Sequence, residues 1–204
     1  MPNNRYLMSF TAGSLLTQES MVLAKLYDEQ QGWDAVRELV FADNLLQMRT
    51  ASAARRVFRE VSARLDTLTP AQLHLLLSGS HQDQKFLLWL AICKRYRFIC
   101  EFATDVIREK ALRVDFELSY DDYDLFFNSK AEWHPEIDRL SPSTRLKLRE
   151  VLFRMLREAG LLSNDNAITR VLLSSSLEAA IAEDNPAYFS VFPLTSSPPR
   201  SLRP

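Results

Sequence analysis

The chain has 204 residues, is 47% hydrophobic and carries a formal net charge of −1 at pH 7. Its 4 glycines argue against a sheet with many tight turns and against a glycine-rich phosphate loop. No apolar run reaches the roughly 18 residues of a membrane span, and the first residues lack the pattern of a signal peptide.

Four helices are predicted in the first part of the chain. Apolar residues recur at helical spacing over 14–30 and again over 33–44. Thr50 or Ser52 provides an N-cap for a third helix, because a short side-chain oxygen accepts from a free backbone N–H of the first turn. A capped short helix follows over 67–79.

The second part predicts a long helix over about 82–112, apolar on almost all sides and therefore central and buried. An acidic stretch covers 114–138, and the clearest helix of the sequence covers 141–160. An Asn-Asp-Asn run between two apolar pieces then predicts a hairpin over about 163–173. The Pro- and Ser-rich tail, 195–204, is predicted to be disordered.

Together these elements predict an all-α protein in two subdomains. Residues 1–80 would form a bundle with a helix-turn-helix-like unit. Residues 81–194 would hold the long central helix and a winged-helix-like part with at most one short β-hairpin. Cys93 and Cys100 lie about two helical turns apart, too far to bridge each other, which favours a reduced, cytoplasmic protein.

Charge is distributed in blocks, although the total is close to zero. Residues 45–64 hold five basic side chains and one acid, and residues 94–113 hold six and three. Residues 114–138 hold one basic side chain and eight acids, whereas 139–157 hold six and one. This alternation predicts a surface divided into basic and acidic patches.

The basic block at 45–64 has a helical arrangement. With about 100° per residue, Arg55, Arg56 and Arg59 fall on one side beside Ser52. The opposite side is apolar: Ala54, Val57, Phe58, Val61 and Leu65. A helix, a short turn and a second helix with exposed basic residues are typical of a helix-turn-helix, whose second helix contacts DNA. We therefore predict DNA contacts from Arg49, Ser52 and these three arginines; an ordinary solvated face is the alternative.

The helix over 141–160 is a second candidate for DNA contact. Lys147, Arg154 and Arg157 face away from its apolar side, and Arg145 flanks that side. Followed by a hairpin, this helix is similar to the recognition helix and wing of a winged helix-turn-helix. The alternative is an ordinary packed helix with a connecting loop.

Chemistry beyond DNA contact has little support in the sequence. His134 lies between Glu132 and Glu136, and an acidic run covers 120–124, but neither has the spacing of a known metal or catalytic motif. The Walker, dinucleotide-binding and nucleophile-elbow motifs are absent from the 204 residues. We predict no enzyme activity, no metal site and no cofactor.

Five stretches between Ser9 and Leu162 carry a resemblance to a known family: SFTAGSLLTQES, NLLQMRTASAARRVFREVSARL, LLWLAICKRYRFICEFATDVIRE, FFNSKAEWHPEIDRL and STRLKLREVLFRMLREAGLL. In this order they resemble BrxA, a small component of BREX bacteriophage-defence systems. The resemblance implies a cytoplasmic, all-helical protein that binds double-stranded DNA without known catalytic activity and works beside other BREX proteins.

A second function remains open at this point. Aromatic residues are common in the cores of interfaces. The acidic stretch 114–138 also contains Tyr120, Tyr123, Phe126, Phe127 and Trp133. This composition is compatible with a scaffold or adaptor that docks other BREX components through the stretch.

Overall fold

The computed structural model describes residues 5–195. The tail predicted to be disordered, 195–204, lies outside the described residues except for Thr195. The described part is helical, with only isolated β-bridges between its loops, which confirms the all-α class. The α-helices are α1 (Thr17–Gln30), α2 (Trp33–Ala42), α3 (Ala51–Leu65), α4 (Pro70–Ser78), α5 (His81–Arg95), α6 (Arg97–Phe102), α7 (Glu109–Leu112), α8 (Tyr120–Ala131), α9 (Pro135–Asp138), α10 (Pro142–Glu158) and α11 (Ser175–Asp184). A π-helical segment, Ala103–Arg108, joins α6 to α7, and two 3₁₀ helices cover Phe10–Ala12 and Pro186–Val191.

Short polar residues cap the starts of several helices, among them the predicted cap Thr50. The side chain of Thr50 accepts from the backbone N–H of Ala53 and starts α3. Thr69, Ser119 and Ser141 cap α4, α8 and α10 in the same way. Each cap satisfies a backbone donor that has no partner inside its helix, so the local sequence determines where these helices begin.

The predicted long helix over 82–112 is interrupted. Tyr96 adopts an extended backbone conformation, with φ −118° and ψ 95°, between α5 and α6. Its side chain is 1% exposed, and its hydroxyl donates to Glu60 Oε1 at 2.6 Å. A buried tyrosine needs a partner for its hydroxyl, and the one it reaches lies on α3. This tertiary contact accompanies the break, which the apolar periodicity of the segment does not indicate.

One hydrophobic core extends through the described chain, with α5 near its centre. Trp89 on α5 is fully buried, and its Nε1 donates to the carbonyl oxygen of Val191 at 3.0 Å. Gln72 on α4 is also buried, and its Nε2 donates to the carbonyl oxygen of Ala180 at 3.0 Å. Packing and hydrogen bonds therefore cross the boundary predicted at residue 80.

The helix-turn-helix and winged-helix details stay predictions. The connection between α2 and α3 covers residues 43–50, which is longer than the three or four residues of a typical helix-turn-helix turn. In the predicted hairpin, Leu162 forms an antiparallel bridge with Ile168. The second arm also pairs with the chain before α8, where Ile168 donates to the carbonyl oxygen of Phe116 at 2.6 Å.

The N-terminal segment is attached to the second half of the chain through Glu101 on α6. This carboxylate accepts from the Tyr6 hydroxyl, from Lys130 Nζ at 2.6 Å and from Arg97 Nε at 2.6 Å. Burial alone would raise the pKa of Glu101, but the hydrogen bonds from Lys130, Tyr6 and Arg97 outweigh burial and lower that pKa below its ordinary value. The carboxylate form is therefore stabilised by folding.

We expect Glu101→Gln to destabilise the protein at neutral pH and to matter less in acid. Because the folded pKa is lowered, the contribution of Glu101 is complete above the pKa of the unfolded chain and disappears as pH falls through the folded value. The cost at pH 7 should be about 1–2 kcal/mol, as for a partly exposed charged hydrogen bond. Urea unfolding of wild type and variant at several pH values measures this, and a difference that is constant with pH contradicts it.

Candidate nucleic-acid interface

The predicted basic residues at the start of α3 form an exposed surface. We call Arg49, Arg55, Arg56 and Arg59 the arginine ridge. All four are exposed, as is Ser52 beside them, whereas the apolar residues on the opposite side of α3 are buried. None of the four guanidinium groups makes a hydrogen bond or an ion pair with any other residue of the described range 5–195. The ridge therefore presents uncompensated positive charge to solvent.

The acid nearest to the ridge in sequence is used elsewhere. Glu60 accepts from Arg64 Nε at 2.7 Å and from the Tyr96 hydroxyl. Arg64 is 2% exposed and also donates to the carbonyl oxygen of Ser14 at 2.9 Å. Thus the fifth arginine of the basic block is structural, and its pairing with Glu60 removes the one acid between residues 45 and 64 that could neutralise the ridge.

A groove of about 720 Å³ lies beside the ridge, between α2, α3 and their connection. We call it the α2–α3 groove. Arg49, Arg55 and Arg59 line it together with Arg37 from α2, and the Arg37 guanidinium likewise has no partner within residues 5–195. Arg56 does not line the groove. Arg37 was not among the predicted DNA-contacting residues, because its position depends on how α2 packs against α3. Arg37 and Phe41 are four residues apart and therefore lie on the same side of α2, where both line the groove. This spacing alone does not indicate that α3 packs beside them.

Below its charged rim, the groove has a floor of apolar side chains. Phe41 and Met48 are partly buried there, and Val40, Ala54 and Phe58 are buried beneath them. The connection that closes the groove is held by Asn44, which has a left-handed backbone with φ 47°. The Asn44 side chain accepts from the N–H of Met48 at 3.2 Å and donates to its carbonyl oxygen at 3.3 Å.

The second predicted DNA-binding helix, α10, is arranged differently. Arg145 contacts Asp124 Oδ1 at 3.1 Å and lies over the Phe127 ring, with 4.6 Å to its centroid. Arg157 donates to Asn166 Oδ1 at 2.5 Å. Lys147 and Glu150 form an exposed ion pair at 3.7 Å. Of the four predicted residues on this helix, only Arg154 is exposed without an ion pair in the described range.

The acidic stretch explains this difference. Asp124 on α8 also binds Arg149 at 2.7 Å. Asp122 contacts Lys110 at 3.3 Å and accepts from the backbone N–H of Ser119, the N-cap of α8. The acids of 114–138 therefore compensate basic residues of the two neighbouring blocks. On the arginine ridge, four arginines lie together without an ion pair. Single basic side chains such as Arg95, Arg113 and Arg139 also lack one within residues 5–195.

The residues considered for metal or acid–base chemistry have structural contacts. The His134 ring packs against the Tyr6 ring, with centroids 4.5 Å apart, and His134 Nδ1 lies 3.5 Å from Glu136 Oε1. Glu136 also accepts from the Tyr6 backbone N–H at 2.7 Å. Over residues 5–195, no group of three or more His, Cys, Asp or Glu side chains is placed to hold a metal ion. Over the same range, no helix has the length and apolarity needed to cross a bilayer.

The fold is similar to that of a solved structure described as the crystal structure of an uncharacterized protein from Magnetospirillum magneticum. The two chains superpose with a TM-score of 0.80 at 25% sequence identity. The match covers 94% of this chain and 100% of the other. The helical arrangement is therefore shared over nearly the whole chain.

Three curated relatives carry the name BREX protein BrxA. The protein from Escherichia coli O9:H4 (strain HS) is 27% identical over 72% of this chain and 70% of its own length. The protein from Bacillus cereus (strain H3081.97) is 29% identical over 68% and 71%. The protein from Paramagnetospirillum magneticum (strain ATCC 700264 / AMB-1) is 25% identical over 92% and 96%. The BrxA family model matches residues 4–185, so the chain belongs to the BrxA family.

Proposed function

We propose that this protein is a non-enzymatic, cytoplasmic accessory component of a bacterial BREX phage-defence system that binds double-stranded DNA through its arginine ridge. The observation that carries the proposal is the exposure of the four ridge arginines, whose guanidinium groups have no partner within residues 5–195. In a chain with a net charge of −1, unpaired positive charge concentrated on one helix favours an anionic partner.

The chemistry of the ridge suits the DNA backbone. A guanidinium is always charged at neutral pH and presents a planar fork of donors that matches phosphate oxygens. Ser52, exposed beside the ridge, can add a neutral hydrogen bond to a phosphate or a base. Because contacts with phosphate carry no sequence information, we expect binding through the ridge to differ little between duplex sequences.

A salt series with purified wild-type protein and a fluorescent duplex tests the proposal. Each phosphate neutralised releases nearly one counterion, so four ridge contacts give a slope of log K against log salt of up to about −3.6. The duplex should also stay intact in the presence of Mg²⁺ or Mn²⁺. Binding that is absent at low salt contradicts DNA binding, and metal-dependent cleavage by clean protein contradicts a non-enzymatic role.

An adaptor role through 114–138 is a second candidate, supported by its exposed apolar side chains. Leu125 is 70% exposed and Trp133 is 80% exposed. An exposed tryptophan is a common anchor of protein interfaces. In this case another BREX protein should co-purify with the chain and stay bound at moderate salt, whereas a complex with DNA should dissociate.

A further inference from the structure

We propose that the α2–α3 groove binds an acidic, amphipathic peptide segment of a partner protein. The proposal goes beyond DNA binding and rests on the shape and lining of the groove, not on the exposure of the ridge alone. The groove combines a rim of four arginines with an apolar floor. A ligand that uses both must carry negative charge and hydrophobic side chains on the same segment.

The rim selects for negative charge. Arg37, Arg49, Arg55 and Arg59 line the groove, and no Asp or Glu lines it. The remaining lining residues on the polar side are neutral: Asn44, Thr50 and Ser62. A basic segment would therefore be repelled by unpaired like charges, which is the usual means by which an interface rejects a wrong partner.

The floor selects for apolar side chains. Phe41 and Met48 are only partly buried, so an occupant could remove more of their surface from water. A phosphodiester backbone offers no apolar group of matching size. An amphipathic helix does, because its hydrophobic residues recur on one face while its acids flank them. Methionine suits such a site, since its flexible side chain adapts to different partners.

The residues outside the described range do not supply this segment. Residues 1–4 contain no acid, and residues 196–204 contain Arg200 and Arg203 and no acid. Within the acidic stretch 114–138, Asp122 and Asp124 already bind basic residues of their own chain. In a second copy of the chain, these two carboxylates would therefore not be available to bind the arginines of the groove. The occupant that fits best is an acidic segment of a different protein.

Peptide and DNA would compete, because Arg49, Arg55 and Arg59 belong to both the groove and the ridge. Two arginines each belong to only one of the two surfaces. Arg37 lines the groove and lies on α2, outside the ridge, while Arg56 belongs to the ridge and does not line the groove. These two residues provide a matched pair of variants with the same change of charge.

The probe is a labelled helical peptide with Leu at positions i, i+3, i+4 and i+7 and Glu at most other positions, and fluorescence anisotropy measures its binding. We expect Arg37→Gln to weaken peptide binding about tenfold, the loss typical of one charge-assisted hydrogen bond, and Arg56→Gln to leave it unchanged. For duplex DNA we expect Arg56→Gln to flatten the salt slope and Arg37→Gln to have little effect. Unlabelled duplex should displace the peptide.

Other results overturn the proposal. Equal weakening by both variants indicates unspecific attraction, and equal binding of a peptide with Ser in place of Leu shows that the floor is not used. If Arg37→Gln impairs duplex binding and the peptide does not bind, the groove belongs to DNA. If sedimentation shows self-association that Arg37→Gln abolishes, the occupant is a second copy. Peptide binding without duplex binding leaves this proposal intact and contradicts the proposed function instead.

Discussion

Replacement of Arg55, Arg56 and Arg59 together with Gln is expected to weaken duplex binding strongly while the protein stays folded. If all three neutralise phosphates, the slope of log K against log salt flattens by up to about 2.7. When salt rises from 50 to 200 mM, the affinity of wild type should then fall by a factor about 40 times larger than the affinity of the variant does. The three side chains are exposed, and exposed substitutions usually change stability by no more than about 0.5 kcal/mol each.

The rival helix provides the comparison. A second triple variant replaces Lys147, Arg154 and Arg157 on α10, where Lys147 is paired with Glu150 and Arg157 with Asn166. We expect this variant to keep most of its affinity and nearly all of its salt slope. If the ridge variant folds and keeps both affinity and slope while the α10 variant loses both, the ridge is a solvated face and α10 binds the DNA.

Glu60→Ala is expected to cause the largest loss of stability of the substitutions considered. The Glu60 and Arg64 side chains are 11% and 3% exposed, so the change leaves a buried guanidinium without its carboxylate. Removal of one partner of a buried ion pair typically costs about 3–5 kcal/mol. The hydroxyl of Tyr96 loses its acceptor as well, and burial raises the pKa of Tyr96, so the hydroxyl stays protonated. Urea unfolding followed by circular dichroism measures the change.

Two variants control this experiment. Arg59→Ala on the same helix is exposed, and its cost should stay within about 0.5 kcal/mol. The double variant Glu60→Ala/Arg64→Leu should recover much of the lost stability, because it removes the uncompensated charge along with its partner. A cost for Glu60→Ala no greater than that of Arg59→Ala contradicts the importance of this network.

The local sequence was sufficient to predict most helix starts and the two faces of α3. Thr50 and Ser141 are followed by helices with apolar residues at regular spacing, and both features depend on residues a few positions apart. The same periodicity predicted the buried face of α10, which includes Leu148 and Leu152 at 0% exposure. For a helix with a single side in the core, the spacing of apolar residues in its own sequence indicates which side is buried.

Features that depend on contacts distant in sequence were not predictable. The break at Tyr96 involves Glu60, 36 residues earlier. Arg145 looked like a candidate for DNA contact, but its actual partner, Asp124, comes from another helix. The α2–α3 groove requires the packing of Arg37 beside α3. Periodicity within one segment carries no information on which acid neutralises which base, so the pairing of charge blocks could be learned only from the structure.

The capped start of α3 has a consequence for the thermodynamics of recognition. Thr50 fixes the first turn, Asn44 holds the preceding connection, and buried Val57 and Val61 attach the helix to the core. The backbone that carries the arginines is thus ordered before any ligand arrives, and binding restricts only the rotamers of a few side chains. The entropic penalty of association is correspondingly small. A preformed cationic surface of this kind also accelerates the diffusional encounter with a polyanion, most strongly at low ionic strength.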